Sequence, residues 1–295
     1  MLRNLAILSR QTHSNYRGRL APTPSGYLHL GHAATFLRAQ ERCQAHGGTL
    51  LYRDEDIDIE RCQDEHRQAA MDDLRWLGIQ WQEGPDCGGP YGPYRQSECL
   101  ERYREAWQKL HRGGYLFPCG RSRRDMRNLP RPAHVDEQDA EPVYPTAWRP
   151  PGGTGEDATE PGQTAWRFRV PEGRTVRFTD AIAGEQTFTA GSDFGDFRVW
   201  RKNGLPNYEL AVVVDDIAMN ITEVVRGADL LRSTARQILI YEALGATDLP
   251  TFAHCPLVRD EDGQRLAKRT QATSLRGLRD QGYSPQAVRA MATAD

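Results

Sequence analysis

Two stretches hold residue types and spacings that suit chemistry on a phosphorylated substrate. The first reads Gly18-Arg19-Leu20-Ala21-Pro22-Thr23-Pro24-Ser25-Gly26-Tyr27-Leu28-His29-Leu30-Gly31-His32. A strand over 18–21, a proline- and glycine-rich turn and a helix opening near Gly31 place backbone N–H groups and a positive helix end where an anion would sit. His29 and His32, three apart, can face the same phosphates, and Gly31 allows a nucleotide to approach the backbone closely. The competing reading, a metal-binding histidine pair, lacks a third ligand at usual zinc spacing.

The second stretch is Gln264-Arg265-Leu266-Ala267-Lys268-Arg269. A basic loop here can bring Lys268 to a triphosphate as charge develops in a transition state. A solvated charge run is the plainer reading. A strand expected at Leu257-Val258 and the D-E-D-G-Q turn after it favour the functional one.

The elements that must position these residues alternate. Residues 49–52 read as a second strand, followed by the acidic run Arg53-Asp54-Glu55-Asp56-Ile57-Asp58, then helices at about 64–77 and 97–112. On the first helix Ala34, Leu37 and Glu41 share a side with Ala33, Phe36 and Gln40 beside them, an apolar face for a sheet. Strands alternating with helices predict an α/β fold, a Rossmann-like parallel sheet covered by helices. From 113 to about 162 proline, glycine and charge dominate, as in an irregular insertion. Short runs at 166–170, 176–178 and 197–200 suit antiparallel strands. The apolar run 210–214 reads as a buried parallel strand returning to the first sheet, with a further strand at 222–225 and a helix at 231–244. The boundaries expected are therefore a catalytic first half over 1–112, an inserted α+β connective domain over 113–204, and a catalytic second half over 205–295.

Composition limits the partners. The 295 residues carry a net charge of -2, so a nucleic-acid partner requires a local basic face. Arg121, Arg123, Arg124, Arg127 and Arg131 offer one such cluster; phosphate contact and plain solvated surface are both open to them. No apolar run approaches the roughly 20 residues that cross a bilayer. Residues 1–19 show no signal core, and the six cysteines are dispersed without a C-x-x-C pair. A cytoplasmic protein with free thiols, no membrane partner and a monomeric state is expected.

The first stretch resembles the opening signature of the class I aminoacyl-tRNA synthetases, glutamyl branch, and R-L-A-K-R resembles a degenerate form of their K-M-S-K-S loop. Y-R-D-E-D-I-D, N-Y-E-L-A-V-V-V-D-D and T-E-V-V-R-G-A-D-L-L match further, in the family's order over nearly the whole chain. The resemblance implies activation of L-glutamate by ATP with Mg2+. Arg19, Leu20, Ala21, Pro22 and Thr23 would line the amino-acid pocket, with Arg19 facing the side-chain carboxylate. Glu55 would hold the α-ammonium, and Tyr208 and Arg226 would complete the pocket. His29, Gly31, His32 and Lys268 would bind ATP, and His29, His32 and Lys268 would stabilise the phosphates during attack on the α-phosphorus. Without the resemblance, Glu55 reads as one more exposed acid, Tyr208 as packing and Arg226 as a structural ion pair.

Two departures refine the expectation. Only residues 270–295 follow the second signature, where glutamyl-tRNA synthetases continue into a helical anticodon-binding region. That pattern resembles the glutamyl-Q tRNA(Asp) synthetases, which attach glutamate to queuosine in the anticodon loop of tRNA(Asp). Charging of a tRNA 3′ end and an inactive RNA-binding paralogue are the alternatives. Members of that group also carry a C-x-C pair and a later Tyr-x-x-x-Cys that hold zinc. Here Cys119-Gly120-Arg121 and Tyr144-Pro145-Thr146-Ala147-Trp148 keep only Cys119 and Tyr144. Two ligands cannot make a tetrahedral site, so no zinc is expected.

Overall fold

The computed structural model describes residues 16–127, 129, 142–151, 157–258 and 274–293. Strand β1 (Arg17–Leu20) leads into helix α1 (Leu30–Ala45), strand β2 (Thr49–Tyr52), and helices α2 (Asp64–Trp76) and α3 (Leu100–Arg112). β1 and β2 are parallel, with Arg19 opposite Leu51. The buried residues of α1, among them Ala33, Phe36, Leu37 and Gln40, cover this sheet and share a core with Leu20, Leu50, Val225 and Ala253.

The middle of the chain supplies β3 (Leu116–Pro118), the short α4 (Arg123–Met126), β4 (Trp166–Phe168), β5 (Thr175–Asp180), β6 (Gly184–Thr189) and β7 (Phe197–Trp200). β3, β4 and β7 form an antiparallel sheet. The β5–β6 hairpin instead joins the returning strands. The remaining elements are α5 (Tyr208–Ala218), β8 (Glu223–Gly227), α6 (Leu231–Ala243), β9 (Thr251–Cys255), α7 (Leu275–Asp280) and α8 (Pro285–Thr293). A four-stranded sheet runs β6-β5-β9-β8, and β8 and β9 are parallel. β8 lies beside β1, where the Thr222 N–H donates to the Arg17 carbonyl at 2.9 Å.

Two strand expectations fail. Residues 210–214 are helical, the centre of α5, and all five side chains are buried. A continuous apolar run fits a buried helix as well as a buried strand, and packing against α3, α6 and β7 decides it over the β-branched preference of three valines. The second is Leu257-Val258, which is not a strand. β9 ends at Cys255, and Pro256, lacking an N–H, cannot extend the ladder. No helix among the described residues is long and apolar enough to cross a membrane. All six cysteines are free.

Candidate active site

α1 starts at a reciprocal cap built from its own histidines. The Gly31 N–H donates to His29 Nδ1 and the His29 N–H to His32 Nδ1, each at 3.1 Å. An imidazole nitrogen that accepts carries no proton, so each Nδ1 is bare and each ring holds its proton on Nε2. The rings lie 3.9 Å apart at the positive end of a sixteen-residue helix. Gly31 has a further local reason. A Cβ there would stand 3.0 Å from His29 Cε1 and push the ring off its cap. Ser274 pairs with His29, and the Leu275 N–H donates to the Leu28 carbonyl at 2.7 Å. The chain after residue 273 thus meets the histidine cap; Lys268, with the rest of 264–269, lies outside the described residues.

The amino-acid pocket expected from the sequence gathers at the ends of β1, β2 and β8, with the start of α5. Arg19 is 3% exposed; its Nη1 donates to the Val225 carbonyl at 2.8 Å and its Nε, 3.8 Å from Asp216, makes no hydrogen bond. Burial pulls the Arg19 pKa down, with Asp216 opposing. Glu55 is also buried and so is not a surface acid. Its Oε1 accepts from Arg53 Nη2 at 2.9 Å, and burial pushes its carboxyl up against the pull of Arg53 and Arg19. Arg53, wholly buried, gives its Nη1 to Asp216 at 2.6 Å. A chain of alternating charge therefore runs Arg19, Asp216, Arg53, Glu55. Burying these charges is tolerable only because each is paired.

Arg226 sits in β8, and its Nη1 donates to the Tyr208 hydroxyl at 3.2 Å. Its Nη2 donates to Thr234 Oγ1 at 2.6 Å and its Nε to His254 Nε2 at 3.1 Å. Burial raises the Tyr208 pKa, which keeps the hydroxyl protonated. Leu20 departs from the expected lining: its side chain is in the core, and its carbonyl accepts the Arg53 N–H. Pro22 is likewise buried, with its carbonyl taking the Glu55 N–H at 3.1 Å; Ala21 and Thr23 are half-buried beside it. Arg53, Asp216, Thr234, His254 and Asp180 escaped the sequence reading. Only the charge alternation of Y-R-D-E-D and the doubled aspartate after a valine run signalled two of them.

Strand ends carrying an arginine pair beside a histidine-capped helix form the crevice in which open α/β sheets bind nucleotides. Residues 15–293 match the family described as tRNA synthetases class I (E and Q), catalytic domain. The chain belongs to that family. This class I synthetase is 47% identical to the glutamyl-Q tRNA(Asp) synthetase of Symbiobacterium thermophilum, over 92% of the chain and 83% of the relative. It is 44% identical to the protein of that name from Nitratidesulfovibrio vulgaris, over 90% and 82%. The glutamate–tRNA ligase of Symbiobacterium thermophilum is 40% identical over 92% of the chain and 56% of the ligase. Among solved structures, the glutamate–tRNA synthetase of Elizabethkingia anophelis superposes with a TM-score of 0.79 at 29% identity, covering 95% of the chain and 61% of that structure. As the family implies, the synthetase uses ATP.

The synthetase's remnant of a zinc motif holds guanidinium groups. Arg167 Nε donates to Cys119 Sγ at 3.3 Å, and the guanidinium lies 4.1 Å from the centre of the Tyr144 ring. Arg121 stacks on Trp148 at 4.6 Å. Burial pushes the Cys119 thiol up, but its hydrogen bonds with Tyr144 and Arg167 and the Arg167 charge outweigh it and lower its pKa. No three metal-binding side chains converge among the described residues. Zinc does not fit here: the Arg167 guanidinium already lies against the sulfur of Cys119, and no second thiol stands beside it among the described residues.

Proposed function

We propose that the chain activates L-glutamate as glutamyl-adenylate and transfers the glutamyl group to queuosine in the anticodon loop of tRNA(Asp). The observation that carries the choice of acceptor is the identity of 47% to a glutamyl-Q tRNA(Asp) synthetase, against 40% to the glutamate–tRNA ligase of the same organism. In the first step a carboxylate oxygen of glutamate attacks the α-phosphorus, the new O–P bond forms, and the bond to the β-phosphate oxygen breaks. The Nε2–H groups of His29 and His32 meet the phosphates, and Lys268 neutralises charge on the leaving pyrophosphate. Magnesium travels with ATP, held by phosphates and water. In the second step a queuosine hydroxyl attacks the acyl carbon and AMP leaves.

For glutamate, Glu55 receives the α-ammonium, while Arg19 and Arg226 present the cationic pocket for carboxylate. Glutamine would leave the buried charge of this pair uncompensated, which supports selection of glutamate. The Arg167 and Arg121 stacks support an insertion that needs no zinc. Labelled glutamate supplied with ATP and tRNA from queuosine-containing and queuosine-lacking cells tests the acceptor. Labelling confined to the queuosine-containing pool is expected. Equal labelling of both pools makes the chain a 3′-end charging enzyme.

A further inference from the structure

Arg226 is held by a set of hydrogen bonds whose direction can be worked out atom by atom. Thr234 Oγ1 accepts from Arg226 Nη2, and its own proton has two acceptors in reach, the Leu230 carbonyl at 3.3 Å and His254 Nε2 at 3.1 Å. His254 Nε2 accepts from Arg226 Nε. A guanidinium nitrogen only donates, so that His254 nitrogen carries no proton. The ring proton must then lie on Nδ1, which is 2.5 Å from Asp180 Oδ2. His254 and Asp180 have side chains wholly shut from solvent. Burial and the Arg226 charge push the His254 pKa down to about 4, so the ring is neutral near pH 7.

Asp180 is itself aimed. Its Oδ1 accepts the N–H groups of Ile182, Ala183 and His254 at 3.0, 2.8 and 3.0 Å, which leaves Oδ2 alone to face the ring. We infer that Asp180 and His254 are positioning residues that orient Arg226 for substrate, Asp180 by fixing the tautomer that lets His254 accept from the guanidinium. The inference rests on the glutamate-pocket reading above. With Tyr208, this anchoring uses three of the five N–H groups of Arg226. It leaves one N–H on each terminal nitrogen to offer a carboxylate. Asp180 ends β5, the strand by which the hairpin from the middle of the chain joins β9 with Asp180 opposite Phe252. The segment between the two halves of the catalytic sheet thereby contributes to the amino-acid pocket.

Asp180→Asn separates this from a structural role, because the change is nearly isosteric. The three backbone donors keep the amide oxygen at the Oδ1 position and turn the amide NH2 toward His254. The ring must then accept at Nδ1 and carry its proton on Nε2, opposing the Arg226 N–H, as the wrong tautomer does in a serine protease triad. Glutamate-dependent ATP–pyrophosphate exchange is expected to show a KM for glutamate raised about 10–100-fold, with the KM for ATP unchanged. An unchanged glutamate KM overturns the inference, as does an equal rise in both KM values. A 15N-histidine spectrum of the wild-type protein at pH 7 tests it without a variant. Protonated Nδ1 with bare Nε2 is expected, and a proton on Nε2 overturns the relay. Absence of glutamate-dependent exchange in the wild type overturns the pocket reading alone, and the nitrogen spectrum still decides the tautomer.

Discussion

The pocket at the ends of β1 and β8 and the cluster around Cys119, just past β3, both bury an arginine, but they complete it differently. Around Cys119 the buried Arg167 guanidinium ends on a thiol, a carbonyl and the Tyr144 ring, while the exposed Arg121 stacks on Trp148. In the pocket Arg19 keeps an Nε without a hydrogen bond, and Arg226 gives one N–H from each of its three nitrogens to His254, Tyr208 and Thr234. A buried donor without a partner costs on the order of 1–3 kcal/mol, a penalty that a carboxylate ligand relieves. The same residue type thus serves as a structural plug in one place and as a receptor in the other. The difference lies in what the protein sets against the guanidinium: sulfur atoms, a carbonyl and a ring face around Arg167, and at Arg19 a donor left without an acceptor.

Substitutions should therefore fall into two groups, one changing chemistry and the other stability. The largest effect is expected at Lys268→Ala, which should lower ATP–pyrophosphate exchange by about 10²–10³ with the melting temperature unchanged. Unchanged exchange removes Lys268 from the site. Next comes Arg226→Lys, which keeps the charge but loses the planar fork; the KM for glutamate should rise about 10–100-fold in the same assay. Glu55→Gln keeps the shape of the Arg53 partner while discharging it. It should raise the KM for glutamate and also lower the denaturant midpoint, because Arg53 is then left buried with less compensation.

On the other side, Arg167→Ala should destabilise the fold by about 2–4 kcal/mol in urea titrations while leaving the KM for glutamate as it is. A glutamate effect there would erase the contrast between the regions. The smallest change is expected from chelation. Purified protein should hold far less than one zinc per chain, and EDTA should not move its thermal midpoint. Stoichiometric zinc by elemental analysis would refute the guanidinium plug.

The local parts were legible. Residues Gly18 to His32 announce strand, turn and helix start because each preference is set within a few residues and prolines fix the turn; that His29 and His32 cap the helix appears only in the structure. The β2 strand at 49–52 was legible for the same reason. The apolar run in α5 was not, since a buried run has no polar side to reveal its period, and the helical form matters for the site. It places Tyr208 at one end and Asp215 and Asp216 near the other, roughly 10 Å along the axis by helical rise.

The sequence by itself determined which residues could serve: a histidine pair at a helix start, arginines in two strands, an acidic run after a third, and a zinc motif missing half its ligands. Only the tertiary structure decided how they are charged, oriented and paired. Arg53 meets Asp216 across 163 residues of chain, and His254 meets Asp180 across 74. Such pairs follow from how sheets and helices stack, and burial then sets their protonation, so no spacing rule along the chain can announce them.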